Sequence, residues 1–219
     1  MCGRFSLKSH IDTIAHVFGV APSLEVSPRY NVAPTQEVVS ILSNGTAHLD
    51  RLRWGLIPSW AKDETIGNKL INARAETLAE KPSFKRLLRS KRCLVIADGF
   101  YEWKQEAGAK TKTPMYITLK DGLPFAFAGL WDLWTDPDGQ PIRTCTIVTT
   151  EPNELMASIH NRMPVMLLPN AREQWLDTTL HDEHALSCLL MPYPAQEMTA
   201  RAVSRLVNDP RREGAELIA

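Results

Sequence analysis

The sequence has no surplus of charge of either sign: Lys and Arg together number 25, Asp and Glu 25, and the formal net charge is +0. A protein that coats nucleic acid by bulk attraction carries a large positive excess, so that mode of action is excluded, while a local basic groove is not. The cysteines Cys2, Cys93, Cys145 and Cys188 lie far apart with no Cys-x-x-Cys pair. This argues against a zinc cluster and against a small disulfide scaffold, and makes a reduced, cytoplasmic protein the expectation. No apolar run reaches the roughly 18 residues of a membrane span. Polar residues follow Phe5 directly, from Ser6 to His10, where a secretory signal would continue apolar. Phosphate loops, the Rossmann fingerprint, HExxH and GxSxG are missing, as are repeats and low-complexity tracts. His181 and His184 sit three apart in a polar helix without a third ligand, so neither a metal nor a cofactor is expected.

What is present suits a packed core: 219 residues, 44% of them hydrophobic. Many of the prolines stand beside aromatics, as in Trp54-Gly55-Leu56-Ile57-Pro58-Ser59-Trp60, which reads as a shaped, rigid loop. Helical spacing of Ile11, Ile14, Ala15 and Phe18 predicts a helix capped by Ser9 and stopped by Gly19, followed by a Pro/Ser loop over 22–34. Val38–Leu42 and His48–Trp54 read as a hairpin turning at Asn44-Gly45. Residues 70–77 read as a strand running into a turn, and Pro82–Ser90 as a helix. Lys81, Lys85, Arg86, Arg89, Lys91 and Arg92 gather there with no acid between them, either as a solvated helix face or as a basic patch. Strands are expected at Cys93–Ala97, Phe100–Lys104, Met115–Leu119, Phe125–Leu130, Thr144–Thr149 and Val165–Leu168. Short helices are expected at Pro152–Ile159, Ala171–Leu176 and Asp182–Leu190, before an extended tail around Ala202-Val203. Without βαβ alternation the class is α+β: a single domain with a curved, mainly antiparallel, barrel-like β core and peripheral short helices.

The N-terminus, Met1-Cys2-Gly3-Arg4-Phe5, carries the most pointed chemistry. Methionine is usually removed before a small second residue. Cys2 then bears an α-amine and a thiol, whose reference pKa values of ~7.7–8.0 and ~8.5 leave a fraction of each unprotonated near neutrality. With an aldehyde the amine forms a Schiff base, and the tethered thiol closes onto the imine carbon as a five-membered thiazolidine. By position alone, the reading of Cys2 as a frayed terminal residue outweighs the reactive one.

Asn72 after Leu70-Ile71, Glu102 between Tyr101 and Trp103, and His160 after Ile159 are polar residues in apolar or aromatic settings. A carboxyl among aromatics has a raised pKa and serves as acid or base near neutrality, and histidine moves protons in the same range. Singly, each has an ordinary reading: turn residue, exposed strand position, helix C-cap.

Together with Tyr30-Asn31-Val32-Ala33-Pro34, Trp54–Pro58, Asn72-Ala73-Arg74-Ala75-Glu76-Thr77, Asp98–Trp103 and Ile159-His160-Asn161-Arg162-Met163-Pro164, the N-terminal block resembles the signature of the SRAP family. These are the SOS-response-associated peptidase-like, or abasic-site processing, proteins. The blocks come in the family's order and span essentially the whole chain, 1–219. The resemblance implies a DNA-damage protein that recognises abasic sites in single-stranded DNA and crosslinks to them through Cys2, shielding the lesion. By that resemblance Asn72, Glu102 and His160 complete the active site, Arg4, Arg74 and Arg162 meet phosphates, and Trp54, Trp60 and Pro34 stack on or wedge between bases. A lyase side activity, crosslink reversal and a monomer that joins the nucleoid when bound to DNA are expected. Two other readings stay open: a cysteine-type peptidase that removes its own Met1, and a non-catalytic single-stranded DNA-binding module.

Overall fold

The computed structural model describes residues 2–219; the expected removal of Met1 concerns a residue outside them. In chain order the elements are β1 (Phe5–Leu7), α1 (Ile11–Phe18), β2 (Arg29–Val32), β3 (Glu37–Ser43), β4 (Ala47–Trp54), β5 (Asn72–Arg74), α2 (Pro82–Ser90), β6 (Arg92–Ala97) and β7 (Gly99–Lys104). Then follow β8 (Thr113–Leu119), β9 (Phe125–Thr135), β10 (Pro141–Thr150), α3 (Glu154–Ala157), β11 (Met163–Pro164), α4 (Pro169–Leu176), α5 (Glu183–Cys188) and β12 (Met198–Ala202).

Strand β10 pairs with β4 and β9, β9 with β6, β6 with β3, and β3 with β4, so five strands return on themselves as a closed barrel. Only β4 and the short β5 run parallel to their partner β10. A second, antiparallel sheet in the order β12-β8-β7-β1-β2 covers the barrel and carries the N-terminus. The apolar run in β6 shows why sequence and architecture agree. Cys93, Val95 and Ala97 enter the core that holds Phe5, Trp54 and Phe127, whereas Leu94 and Ile96 enter the core under the helices with Leu87 and Trp175. A strand buried on both faces has no polar side, so it appears as a continuous apolar run.

Several boundaries differ from the sequence expectation for identifiable reasons. Helix α1 is capped by His10 and not by Ser9, because the Ser9 backbone N–H and hydroxyl both donate to Asp98, at 2.8 and 2.5 Å. Part of the expected loop 22–34 is strand β2, whose Tyr30 N–H donates to the Glu213 carboxylate (2.8 Å) of the tail. β9 and β10 run longer than expected, up to a turn in which Asp136 accepts from the Asp138 and Gln140 N–H groups. The expected strand at Val165–Leu168 is displaced to β11. Val165 and Leu167 still exchange backbone bonds with Val148, Ala128 and Ala126. The basic run proves to be split. Arg92 is buried and donates to the carbonyls of Leu88, Arg89, Trp175 and Asp177, closing the ends of α2 and α4, while Arg86 and Lys91 bind Asp132.

The chain crosses from barrel to second sheet at Asp98, and Gly99 opens β7. A Cβ at Gly99 would lie 2.4–2.5 Å from the Tyr116 ring, which crosses it to place its hydroxyl 2.7 Å from Ser6 Oγ. Gly99→Ala is therefore expected to destabilise the fold by about 1–3 kcal/mol, lowering Tm by about 3–10 °C in a thermal melt. An unchanged Tm would show that Tyr116 yields freely.

Candidate active site

Strand β1 delivers Cys2 to the interior. Phe5 packs on Trp54 and Phe127, with ring centroids 5.2 and 5.8 Å apart, and draws the preceding residues down, so Cys2 is fully buried in the same core. Asn72, at the start of β5, donates from Nδ2 to the Cys2 carbonyl at 2.8 Å. The Cys2 thiol points at the Arg4 carbonyl, 4.0 Å away. Burial and, after it, the Glu102 carboxylate raise the thiol pKa far above its usual value, so the resting sulfur keeps its proton.

Glu102 comes from the middle of β7, the strand beside β1, and is buried, not on the exposed side of an alternating strand. Burial lifts its carboxyl above the ordinary carboxylate range, against the pull of the Trp103 N–H and the Lys112 ammonium. His160 follows α3. Burial lowers its pKa, favouring the neutral ring near pH 7. The backbone N–H of Arg162 donates to its Nδ1 at 3.0 Å. The Arg162 carbonyl lies 3.3 Å from the same nitrogen; the N–H contact is the shorter, and because an N–H can only donate it favours the neutral tautomer with its proton on Nε2. The site thus combines a protonated thiol, a carboxyl that burial holds toward its acid form and an imidazole with a donor to offer.

The three arginines are placed differently. Arg74 stands exposed two residues beyond Asn72, on the same face of β5, while Ala73 between them is buried. Among the described residues no acidic side chain forms an ion pair with it. Arg162 is only 15% exposed and is clamped by both Glu76 oxygens (2.6 and 2.9 Å) and the Thr149 carbonyl (2.6 Å). Arg4 donates from Nη1 to Asn31 Oδ1 and the Val207 carbonyl, each at 2.7 Å. The fold already uses donors of Arg4 and Arg162, and Arg74 is the cation most open to a phosphate.

Of the stacking candidates, Trp54 is corrected. It has no accessible surface and donates from Nε1 to the Ile71 carbonyl at 2.8 Å, so it offers no face to a base and instead belongs to the same core as Cys2. Trp60 is exposed. Pro34 is half-buried in a tight turn whose next residue, Thr35, holds a left-handed φ of 72° and donates its N–H to the Trp54 carbonyl at 2.7 Å.

This geometry can be set beside known proteins. The family model for SOS response associated peptidase (SRAP) matches residues 1–210. The chain belongs to the SRAP family. Among SRAP relatives, the abasic site processing protein YoqW of Bacillus subtilis is 53% identical, with 100% of this chain and 99% of that protein covered. The abasic site processing protein YedK of Escherichia coli is 31% identical, with 100% and 99% covered. A crystal structure of a protein from Bacteroides thetaiotaomicron superposes with a TM-score of 0.88 at 29% identity, covering 99% of this chain and 98% of that one.

The SRAP blocks recognised in the sequence come together around Cys2 in the fold. Asn31 of the second block receives Arg4 and donates to the carbonyls of Asp209 (3.0 Å) and Arg212 (2.9 Å), tying the tail to Arg4. Sequence reasoning passed over Asn31 and Lys112. The first was signalled by an asparagine in an otherwise apolar block. The second had no signal, since a lysine in a polar loop is commonplace, yet its charge acts on both Glu102 and His160. Among the described residues, no helix is long and apolar enough to cross a membrane and no group of three His, Cys, Asp or Glu is placed to hold a metal.

Proposed function

We propose that this protein processes abasic sites in single-stranded DNA by forming a covalent thiazolidine through Cys2 once Met1 is gone. The names of its relatives support abasic-site processing. The observation that carries the chemistry is the setting of Cys2, buried beside Glu102 with its carbonyl held by Asn72.

An abasic deoxyribose is mostly a closed hemiacetal. Glu102 in its acid form protonates the ring oxygen while the C1′ hydroxyl gives its proton to solvent, opening the ring to the aldehyde. The Cys2 amine adds to C1′, and the carbinolamine hydroxyl, hydrogen-bonded by His160 Nε2–H, takes a proton back from solvent and leaves as water, giving the iminium. The thiol then attacks the iminium carbon: an S–C1′ bond forms, the C=N π pair returns to nitrogen, and the thiol proton passes to Glu102, now a carboxylate. The balance is aldehyde plus aminothiol giving thiazolidine plus water. A buried, protonated thiol suits this order, since it stays inert until the iminium appears beside it. Asn72 keeps the Cys2 main chain in place, Arg74 meets a phosphate, and Trp60 and Pro34 stack on neighbouring bases. If closure lags, the Schiff base permits β-elimination and strand cleavage.

A peptidase of the Cys-His-Asn type is the second reading. It calls for a thiolate activated by imidazolium, which lowers a cysteine pKa. Here the thiol pKa is raised, and the thiol responds to Glu102.

The test is a denaturing gel of the protein with a single-stranded oligonucleotide carrying one abasic site, beside an intact strand and a protein substrate. A heat-stable shifted band with the abasic strand only is expected. Proteolysis without a DNA adduct, from protein whose mass shows Met1 removed, would sink the proposal.

A further inference from the structure

Among the described residues Trp60 is the most exposed large hydrophobic side chain, at 61%, yet both of its chain neighbours are held from below. The Ser59 N–H donates to Asp132 Oδ2 at 2.9 Å, and the Ser59 hydroxyl accepts from Arg86 Nη2 at 3.0 Å. The same Arg86 nitrogen donates to Asp132 Oδ2 at 2.8 Å. On the other side the Ala61 carbonyl accepts from Trp134 Nε1 at 2.8 Å, and the Ala61 N–H closes a turn onto the Pro58 carbonyl. Asp132 lies in β9 with its side chain 1% exposed. Its Oδ1 also accepts from Lys91 Nζ (2.8 Å) and the Leu133 N–H (2.9 Å).

Burying a carboxylate costs desolvation, yet the bonds from Lys91, Ser59 and Leu133 outweigh it and hold the Asp132 carboxyl below the usual range, so the network stays charged and closed. A loop that ends in an exposed indole needs no such anchor to fold. What the network does supply is a fixed orientation for the ring. A partner that stacks on it need not meet the cost of ordering the loop. Trp60 also lines, with Lys62, Asp63, Thr65, Ile66 and Lys69, an open recess of about 430 Å³, in which the Asp63 carboxylate is taken up by the Thr65 N–H at 2.6 Å. An aromatic wall with two ammonium groups beside it matches a base and its phosphates.

We propose that Asp132 is a positioning residue for single-stranded DNA: by gripping Ser59 it presents Trp60 as a rigid platform for a base near the lesion. The identity of the strand rests on the function proposed above; the rigidity of the loop does not.

The test is a double-mutant cycle read as binding of a fluorescent, undamaged single-stranded oligonucleotide at fixed salt. Asp132→Ala is made in the wild-type and Trp60→Ala backgrounds. Asp132→Asn, which keeps shape and one acceptor oxygen, is made in both as well, in case the alanine variant fails to fold. Removing the carboxylate leaves Arg86 and Lys91 unopposed and by itself favours DNA, but that gain occurs in both backgrounds and cancels in the cycle. With Trp60 present, the loss of Asp132 is expected to weaken binding about fivefold more than it does with Trp60 absent. Equal effects in the two backgrounds, or no effect in a folded variant, overturn the proposal. If binding depends on Trp60 but not through Asp132, only this inference falls. If Trp60-dependent binding is seen but an abasic strand gives no adduct, only the crosslinking chemistry falls.

Discussion

Cys2→Ala and Cys2→Ser are both expected to reduce the heat-stable adduct to background, yet both should still form a labile adduct that borohydride traps. Alanine and serine are small, so Met1 is expected to be removed from each, leaving an α-amine in the position of the native one. The amine alone makes the imine. What is lost is the second attack, for which the tethered thiol has an effective concentration of order 10⁵ M or more. A serine hydroxyl, far less nucleophilic at neutral pH, does not replace it. The imine then persists, and strand cleavage by β-elimination should exceed that of the wild type. The measurement is one gel run with and without borohydride, with intact mass for every variant. A heat-stable band from Cys2→Ala would place the covalent link elsewhere. Met1 retained in Cys2→Ala but absent from the wild type would favour self-removal of Met1 by the cysteine, the older peptidase reading.

The β core was legible because its strands declare themselves. The run Cys93–Ala97 has no polar face, the hairpin at Asn44-Gly45 has its turn written in, and both appear where expected as β6 and the β3–β4 pair. Strand β2 was not legible, because the partners that make it a strand are distant. It pairs with β1 on the far side of α1, Tyr30 donates to Glu213 and Asn31 to the Asp209 and Arg212 carbonyls across more than 170 residues, and no local pattern announces that. Asn72, Glu102 and His160 were singled out as candidates by a mismatch of side chain and setting and Cys2 by its place at the N-terminus, together with the order of the blocks. Burial confirmed the mismatch for Glu102, whereas for Trp54 it removed the assumed role: an aromatic beside prolines looks the same in sequence whether it faces a base or the core. Asp132 had no signal, since a single aspartate in a strand gives no hint of the two cations and two N–H groups that converge on it.

Glu102→Gln is expected to slow crosslinking by about 10²–10⁴-fold, the usual worth of a placed acid or base, while raising stability at alkaline pH. The two effects share one cause. Burial holds the folded-state pKa of Glu102 above that of the unfolded chain. Below the ordinary glutamate value of ~4.3 the carboxyl is neutral in both states and burial costs little. As pH rises from there through the raised folded-state value, the unfolded chain ionises freely and the folded one resists, so the wild type loses stability across that window. Glutamine has no such window, and the Tm of Glu102→Gln relative to wild type should increase between pH 5 and pH 8. The rate should show the same proton from the other side. Ring opening by an acid form makes wild-type crosslinking decline as pH passes the raised pKa, and the residual rate of Glu102→Gln should lack that decline. A variant that is relatively less stable at pH 8 than at pH 5 would mean that the ionised carboxylate is net favourable in the fold. The pocket would then be holding a base, and ring opening would have to draw its proton from another group, with His160 Nε2–H the nearest in kind.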